Sequence, residues 1–348
     1  MIQTLDIVKF LDMADTTPVV DVRTPLEFEH ASIPGAFNLP IFSNEERVQV
    51  GTTYKQQGRE KAILLGFDLT GPKWSGFIQQ ALKIAPDKKI LIHCWRGGMR
   101  SGAMAWALNL YGFEVFLLEG GYKRYRNWVL TQFKEKYPIL ILGGMTGSAK
   151  TKTLVKLKEL GQQVIDLEDL AQHQGSSYGS MGYLIQPSQE HFENLLASQL
   201  IKTDKTKPLW LEDESLSIGK CFIPNSIFQQ MREADLLKLE VPFQKRVDFL
   251  VEEYGKLNKE FLIESTAKIG KRLGPEQTRD SIAAINEDQM AVFIRLVLVY
   301  YDKTYANGQG KRTKESVHTL VCKSTDAIEN STLLINHIQS KQITTLNN

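Results

Sequence analysis

Two stretches of the chain share one pattern: a short apolar run, a glycine-rich polar turn, then an amphipathic segment. In the first, Lys89-Ile-Leu-Ile leads into His93-Cys-Trp-Arg-Gly-Gly-Met-Arg-Ser and then Gly102-Ala-Met-Ala-Trp-Ala-Leu-Asn-Leu. In the second, Tyr137-Pro-Ile-Leu-Ile-Leu leads into Gly143-Gly-Met-Thr-Gly-Ser-Ala-Lys-Thr and then Lys152-Thr-Leu-Val-Lys-Leu-Lys-Glu-Leu. Short apolar runs predict buried strands, and apolar residues at three- and four-residue intervals predict helices. The same spacing predicts a helix over residues 2–13 and strands over 17–23, 163–167 and 208–212. From residue 223 onward it predicts mainly helix, in segments 228–239, 244–254, 258–269 and 281–301.

Length changes the picture first. The 348 residues exceed what one core usually organises, so two domains are expected. The basic and aromatic stretch Tyr122-Lys-Arg-Tyr-Arg-Asn-Trp marks the boundary, giving domains over 1–130 and 131–348. Apolar content of 42% with 24% charged residues is that of an ordinary globular protein. There is no run of about 18 apolar residues and no secretion-signal pattern, so a cytoplasmic protein with no membrane partner is expected, as a monomer. Three scattered cysteines, Cys94, Cys221 and Cys322, suit neither a disulfide framework nor a zinc site. A net charge of +2 neither demands nor excludes nucleic acid, so any such surface must be a local patch.

The two glycine-rich turns carry the candidate chemistry. Cys94 stands between a strand's end and a helix's start, where unpaired N–H groups, Gly97 and Gly98, and the charges of Arg96 and Arg100 form an anion cradle. Such surroundings lower a thiol's pKa and supply the attacking thiolate. The competing reading is a small core hydrophobe, which two arginines and two glycines within six residues do not suit. Cys221 and Cys322 lack that setting and read as structural. The second turn has phosphate-loop spacing. Its N–H groups, with Gly144, Thr146, Gly147 and Ser148, would wrap phosphate oxygens, Lys150 would neutralise them, and Thr151 could ligate Mg²⁺. Ala149 departs from the pattern, since glycine is the rule there and alanine tolerates a positive φ poorly.

Further candidates follow along the chain. Pro208-Leu-Trp-Leu-Glu-Asp-Glu-Ser is a strand meeting carboxylates, where phosphate-loop proteins place an acid for Mg²⁺; Glu212 and Asp213 are the candidates, with a solvated strand end as the alternative. His173, Gln174, Ser176 and Tyr178 either face the loop's ligand or belong to a glycine-serine loop. Lys123, Arg124 and Arg126, then Lys268, Lys271 and Arg272, then Lys311, Arg312 and Lys314, are candidate RNA contacts or solvated charged faces.

Asp21-Val-Arg-Thr-Pro-Leu-Glu-Phe-Glu-His-Ala-Ser-Ile-Pro-Gly-Ala-Phe-Asn-Leu-Pro resembles the first signature of the rhodanese domain. Cys94 then stands where rhodaneses hold their sulfur-carrying cysteine, and Leu117-Leu-Glu-Gly-Gly-Tyr resembles the closing stretch; His30 is given no catalytic role. Two departures stand out. A long insert lies between Pro40 and Lys88, either covering the Cys94 mouth, contacting a partner, or forming a solvated helical excursion. Five residues separate Cys94 from Arg100, a wider loop that resembles those of rhodanese-like phosphatases. The resemblance implies an α/β chain with an N-terminal rhodanese-like α/β domain, then a P-loop NTPase-like α/β domain with a helical C-terminal part.

Both halves together, with Asp166-Leu-Glu, His173-Gln-Gly-Ser and Trp210-Leu-Glu-Asp-Glu-Ser, make the chain similar to the tRNA 2-selenouridine synthase family. That resemblance implies a transferase acting on tRNA. It would convert 2-thiouridine at U34 of tRNAs for Lys, Glu and Gln to 2-selenouridine by way of S-geranyl-2-thiouridine. Geranyl diphosphate and selenophosphate would be co-substrates, with no tightly bound cofactor beyond a possible Mg²⁺. Cys94 would receive selenium from selenophosphate held by Arg96, Gly97, Gly98 and Arg100. The alternative is a Cys-dependent phosphatase or sulfurtransferase coupled to an ATP-binding P-loop domain, and a non-enzymatic RNA-binding module is a third class.

Overall fold

Residues whose side chains are apolar on both strand faces need cover on both sides, and the chain satisfies this twice. The computed structural model describes residues 1–173, 178, 185–309 and 316–346. It divides into two compact units, one of residues 1–133 with 187–198, the other of 134–186 with 199–348.

The first unit is built on five parallel strands, β1 (Ile2–Leu5), β2 (Val19–Asp21), β3 (Phe37–Asn38), β4 (Lys89–His93) and β5 (Glu114–Leu118), in the order β1-β5-β4-β2-β3. The central strand β4 is buried from Ile90 to His93. Its Ile90 and Ile92 pack with Val20, Val115, Met104 and Leu108 in one core. The helix expected over 2–13 is corrected: residues 2–5 pair with β5 as an edge strand, and the helix is Ile7–Ala14, started by the Asp6 side chain accepting from the Val8 and Lys9 amides. Asp6 breaks the run because its carboxylate satisfies amides that a continuous helix would pair internally. The insert folds into helices Asn44–Gln57, Arg59–Thr70 and Trp74–Ile84.

The second unit carries β6 (Ile139–Gly144), β7 (Gln163–Val164), β8 (Leu209–Glu212), a short hairpin of β9 (Ser217–Ile218) and β10 (Cys221–Phe222), β11 (Leu236–Glu240) and β12 (Val317–Val321). Its five-stranded parallel sheet has the order β12-β11-β6-β8-β7, with the phosphate-loop strand in the middle. Connections leave β6 and β11 toward opposite edges, so the ligand crevice of such a sheet lies at their carboxyl ends.

The helical C-terminal part packs around Val247, Leu262, Ile285, Phe293 and Val297. Three of its expected boundaries are corrected. The segment 228–239 is a helix only in Asn225–Glu233, after which Leu236-Leu-Lys-Leu-Glu becomes β11 between two parallel partners. Leucines spaced this way fit either period, and burial between β6 and β12 decides for strand. The segment 281–301 is two helices, Pro275–Asn286 and Met290–Gln309, with Asp288 between them at φ +60°. Strand β12 lies within the stretch read as mainly helical.

Candidate functional site

Strand β4 delivers Cys94 to the carboxyl edge of the first sheet, and the helix Met99–Leu110 begins five residues later. Residues 95–99 are exposed while Cys94 is only 3% exposed, so the sulfur forms the floor of an open loop. Its Sγ lies 3.2 Å from the Ser101 hydroxyl. Burial pushes the thiol pKa up, but hydrogen bonds from the Ser101 side chain and the Ser101 and Gly98 amides, with the Arg100 charge, outweigh it and hold the thiol below its ordinary value. The closing stretch buttresses this loop: the Tyr122 amide donates to the Cys94 carbonyl at 2.8 Å. Gly121, at φ +59°, must be glycine, because a Cβ would lie 2.4 Å from both the Cys94 carbonyl oxygen and the Gly97 nitrogen.

The two arginines differ. Arg96 is exposed, whereas Arg100 is tied to Glu27 at 2.7 Å, and that partnership lowers the Glu27 pKa against the upward push of burial. Glu27 also closes a capping box with Thr24, so Arg100 is held at the rim by the first signature's helix. That signature's other charges serve the interior. Arg23 grips Asp21 at 2.6 Å, bonds the Ala31 carbonyl, and lies 3.7 Å above the Tyr122 ring. The insert lines the same mouth: its residues and the Cys94 loop line one open cavity of about 1110 Å³. The insert therefore stands beside the Cys94 mouth.

In the second unit the phosphate loop joins β6 to the helix Lys150–Glu159. Ala149 takes the left-handed conformation, φ +55°, so the strain expected of it is present. Gly147, at φ +82°, lies against Leu250 and the Arg246 carbonyl, where a Cβ would sit within 3.0 Å. Arg246 is a residue the sequence reading missed. The residue is 4% exposed, and its guanidinium donates to the Thr146 carbonyl at 3.0 Å and pairs with Asp302 at 2.7 Å, clamping the loop. The Ser148 hydroxyl is buried without a hydrogen-bond partner. Lys150 reaches the Gly144 carbonyl at 3.1 Å and Glu212 at 3.4 Å.

The carboxylates divide in a way residue order alone did not settle. Glu168, Glu212 and Glu214 place oxygens within 4.8 Å of one another, and the Thr151 hydroxyl donates to Glu212 at 3.4 Å. Asp213 is corrected as a metal candidate: it turns the other way and pairs with Arg232 at 3.1 Å. Successive residues leaving an extended strand point to opposite faces, so Glu214 follows Glu212 and Asp213 does not. Burial raises the pKa of Glu212, with Asp166 repulsion adding to it against the attraction of Lys150, and raises that of Glu214 well above the ordinary value, with repulsion from Glu212 and Glu168 adding to it. Three crowded hard oxygen donors beside a threonine hydroxyl suit a small divalent cation such as Mg²⁺.

The remaining candidates separate. Tyr178 is corrected to a core residue, 1% exposed, hydrogen-bonded to Thr266 at 2.9 Å and packed on Tyr254 and Phe293. His173 buries an unpartnered Nδ1, and Gln174 and Ser176 lie outside the described residues. Arg126 is corrected from RNA contact to internal clamp: it pairs with Glu193 and Asn194, each at 2.5 Å, on the helix Gln189–Leu200. Tyr122 and Asn194 join the same network at 2.8 Å. Helical periodicity sends Tyr122, Tyr125 and Arg126 inward and leaves Lys123 and Arg124 exposed. Lys268, Lys271 and Arg272 are exposed, and Lys311, Arg312 and Lys314 lie outside the described residues. Cys221 and Cys322 are buried, and burial raises their pKa, that of Cys322 to about 11. Among the described residues no helix is long and apolar enough to cross a membrane.

Two known families match the chain. Residues 6–127 match the rhodanese-like domain, and residues 137–332 match the family described as the tRNA 2-selenouridine synthase AAA domain. The tRNA 2-selenouridine synthase of Nitrosomonas europaea is 39% identical over 264 residues, covering 72% of this chain and 66% of that protein. That of Shewanella woodyi is 37% identical over 289 residues, covering 74% and 76%. The chain thus spans just under two thirds of the first relative's length. A crystal structure of an N-terminal domain from Clostridium difficile 630 is 45% identical, covering 37% of this chain and 99% of that one, with a TM-score of 0.35. A match extending over more than half of the chain, preceded by the rhodanese-like region, settles the family: the chain belongs to the tRNA 2-selenouridine synthases.

Proposed function

We propose that the chain replaces the 2-sulfur of 2-thiouridine by selenium at U34 of tRNAs for Lys, Glu and Gln, in two steps served by its two loops. The observation that carries this reading is the pairing, in one chain of this family, of an open loop over an activated thiol with a lysine-threonine phosphate loop. In the first step the thiouridine sulfur bonds to geranyl C1 while the C1–O bond breaks, diphosphate leaves and the N3 proton is released to solvent. The N–H groups from Gly144 to Lys150 and the Lys150 ammonium stabilise that departing charge. Thr151, Glu212, Glu214 and Glu168 would hold Mg²⁺, which supplies further neutralisation of diphosphate when bound.

In the second step a C2–Se bond forms and the C2–S bond breaks, with geranylthiolate leaving. Arg96, Arg100 and the loop amides hold the phosphate of selenophosphate; the Cys94 thiolate bonds to phosphorus as the P–Se bond breaks, the hydrogen selenide released attacks C2, and water then hydrolyses the S–P bond to free phosphate. Mass analysis of tRNA nucleosides tests the division. With geranyl diphosphate and selenophosphate present, the Cys94→Ser variant should accumulate S-geranyl-2-thiouridine and make no 2-selenouridine. Loss of both products together would refute it, and phosphate release from aryl phosphates without RNA would point to a Cys-dependent phosphatase instead.

A further inference from the structure

The insert carries apolar side chains that the first unit's core does not use. Helices Asn44–Gln57 and Arg59–Thr70 bury only Ala62 and Thr70 between them, while Val48, Tyr54, Leu64 and Phe67 are each more than half exposed. Surface helices ordinarily turn such residues into a core. Here Val50, Tyr54, Ile63 and Phe67, with Phe42 and Trp74, wall the cavity of about 1110 Å³ that ends at Cys94. That volume is at the upper end for small-molecule sites and far exceeds what a tetrahedral anion occupies. The charged residues lining it, Arg47, Lys55, Arg96 and Arg100, are all cationic, and among the described residues no carboxylate lines it. An apolar body joined to an anionic or phosphate-bearing part, with its reactive atom at a thiolate, is the ligand these walls fit.

We propose that this cavity takes the prenyl chain of an S-prenylated nucleobase, seating the thioether at Cys94. The assignment rests on the two-step reading above and deepens it: the rhodanese-like unit selects the prenylated intermediate for the second step. A prenyl chain has two sources, the nucleoside thioether and the prenyl diphosphate. The thioether is the occupant here, because its C2–S bond must lie beside the selenide released from selenophosphate at Cys94. The diphosphate has its own loop in the other unit. As the selenium electron pair forms C2–Se, the C2–S pair leaves with the chain, and the cavity holds the departing geranylthiolate.

The test uses the full chain and two nucleosides, S-geranyl-2-thiouridine and 2-thiouridine, with binding followed through Trp74 and Trp95 fluorescence in a Cys94→Ser background. The geranylated nucleoside should bind at least tenfold tighter, and Gly51→Phe, which fills the cavity from the insert, should abolish the difference. A Cβ at Gly51 has only the flexible end of Arg47 within 4 Å. With tRNA and otherwise native protein, Gly51→Phe should raise the KM of selenation at least tenfold and leave geranylation within twofold. Should that variant misfold, Ile63→Gln makes the same test, with a three- to tenfold effect. Equal binding of the two nucleosides, unchanged selenation, or loss of geranylation in its place would overturn the assignment, the last by giving the cavity to the diphosphate donor. Nucleoside discrimination in a wild-type chain that selenates no tRNA would sink the two-step function and uphold the pocket.

Discussion

The Cys94 loop and the phosphate loop occupy equivalent places in their two sheets, each at the carboxyl end of the middle strand with a helix starting just beyond. They differ in what stands at the strand's end. The first puts a sulfur on the floor under amides and hydroxyl that favour its anion, beside a large apolar cavity. The second puts a lysine among three glutamates, two of them with raised pKa values. A loop that stabilises a negative nucleophile and a loop that receives a negative ligand can use the same backbone frame, because helix-start amides serve either purpose. The side chains decide which.

The contrast can be broken most forcefully at the sulfur. Cys94→Ser should reduce selenation by about 10³-fold or more, as removal of a nucleophile does, with geranylation unchanged by nucleoside mass analysis. Lys150→Ala should reduce geranylation about 10²- to 10³-fold, the scale of losing one charge-stabilising group, and selenation of pre-geranylated tRNA should persist. Ser101→Ala tests the origin of the thiol's acidity. A lowered pKa keeps the thiolate populated at lower pH, so the alkylation rate should reach half its maximum at a lower pH than for an ordinary thiol. Without the hydroxyl that midpoint should move up and the rate at pH 7 fall about tenfold, as read by iodoacetamide labelling.

Two smaller effects sharpen the comparison at the phosphate loop. If the glutamates hold Mg²⁺ as proposed, adding Mg²⁺ should raise the melting temperature of the native chain, and Glu214→Gln should remove that shift while leaving Cys94 alkylation untouched. Ala149→Gly should relieve about 1 kcal/mol of left-handed strain and raise the melting temperature by about 2–4 °C, measured by calorimetry. A lower melting temperature would mean that the loop gains more from a stiff alanine than it loses to strain.

Much of the candidate site was legible because it is written in consecutive residues. Apolar run, glycine turn and helix are short-range patterns, so Cys94 with Arg96 and Arg100, and Gly144 through Thr151, could be read without tertiary knowledge. Arg126 and Tyr178 were misjudged because a basic or aromatic residue in a polar stretch looks the same whether it faces water or a partner. The Glu190, Glu193 and Asn194 partners of the Tyr122–Arg126 segment lie more than 60 residues away in sequence. No local signal assigns 187–198 to the first unit.

The sequence by itself determined the two α/β halves, the thiol between glycines and arginines, and the lysine-threonine loop, since each depends on neighbours within one strand, turn and helix. Only the tertiary structure chose Glu212, Glu214 and Glu168 over Asp213, brought Arg246 onto the Thr146 carbonyl, tied Arg100 to Glu27 and opened an apolar chamber beside Cys94. Those outcomes depend on which faces of distant elements meet. That is fixed by burying the whole apolar surface at once rather than by any single stretch of chain.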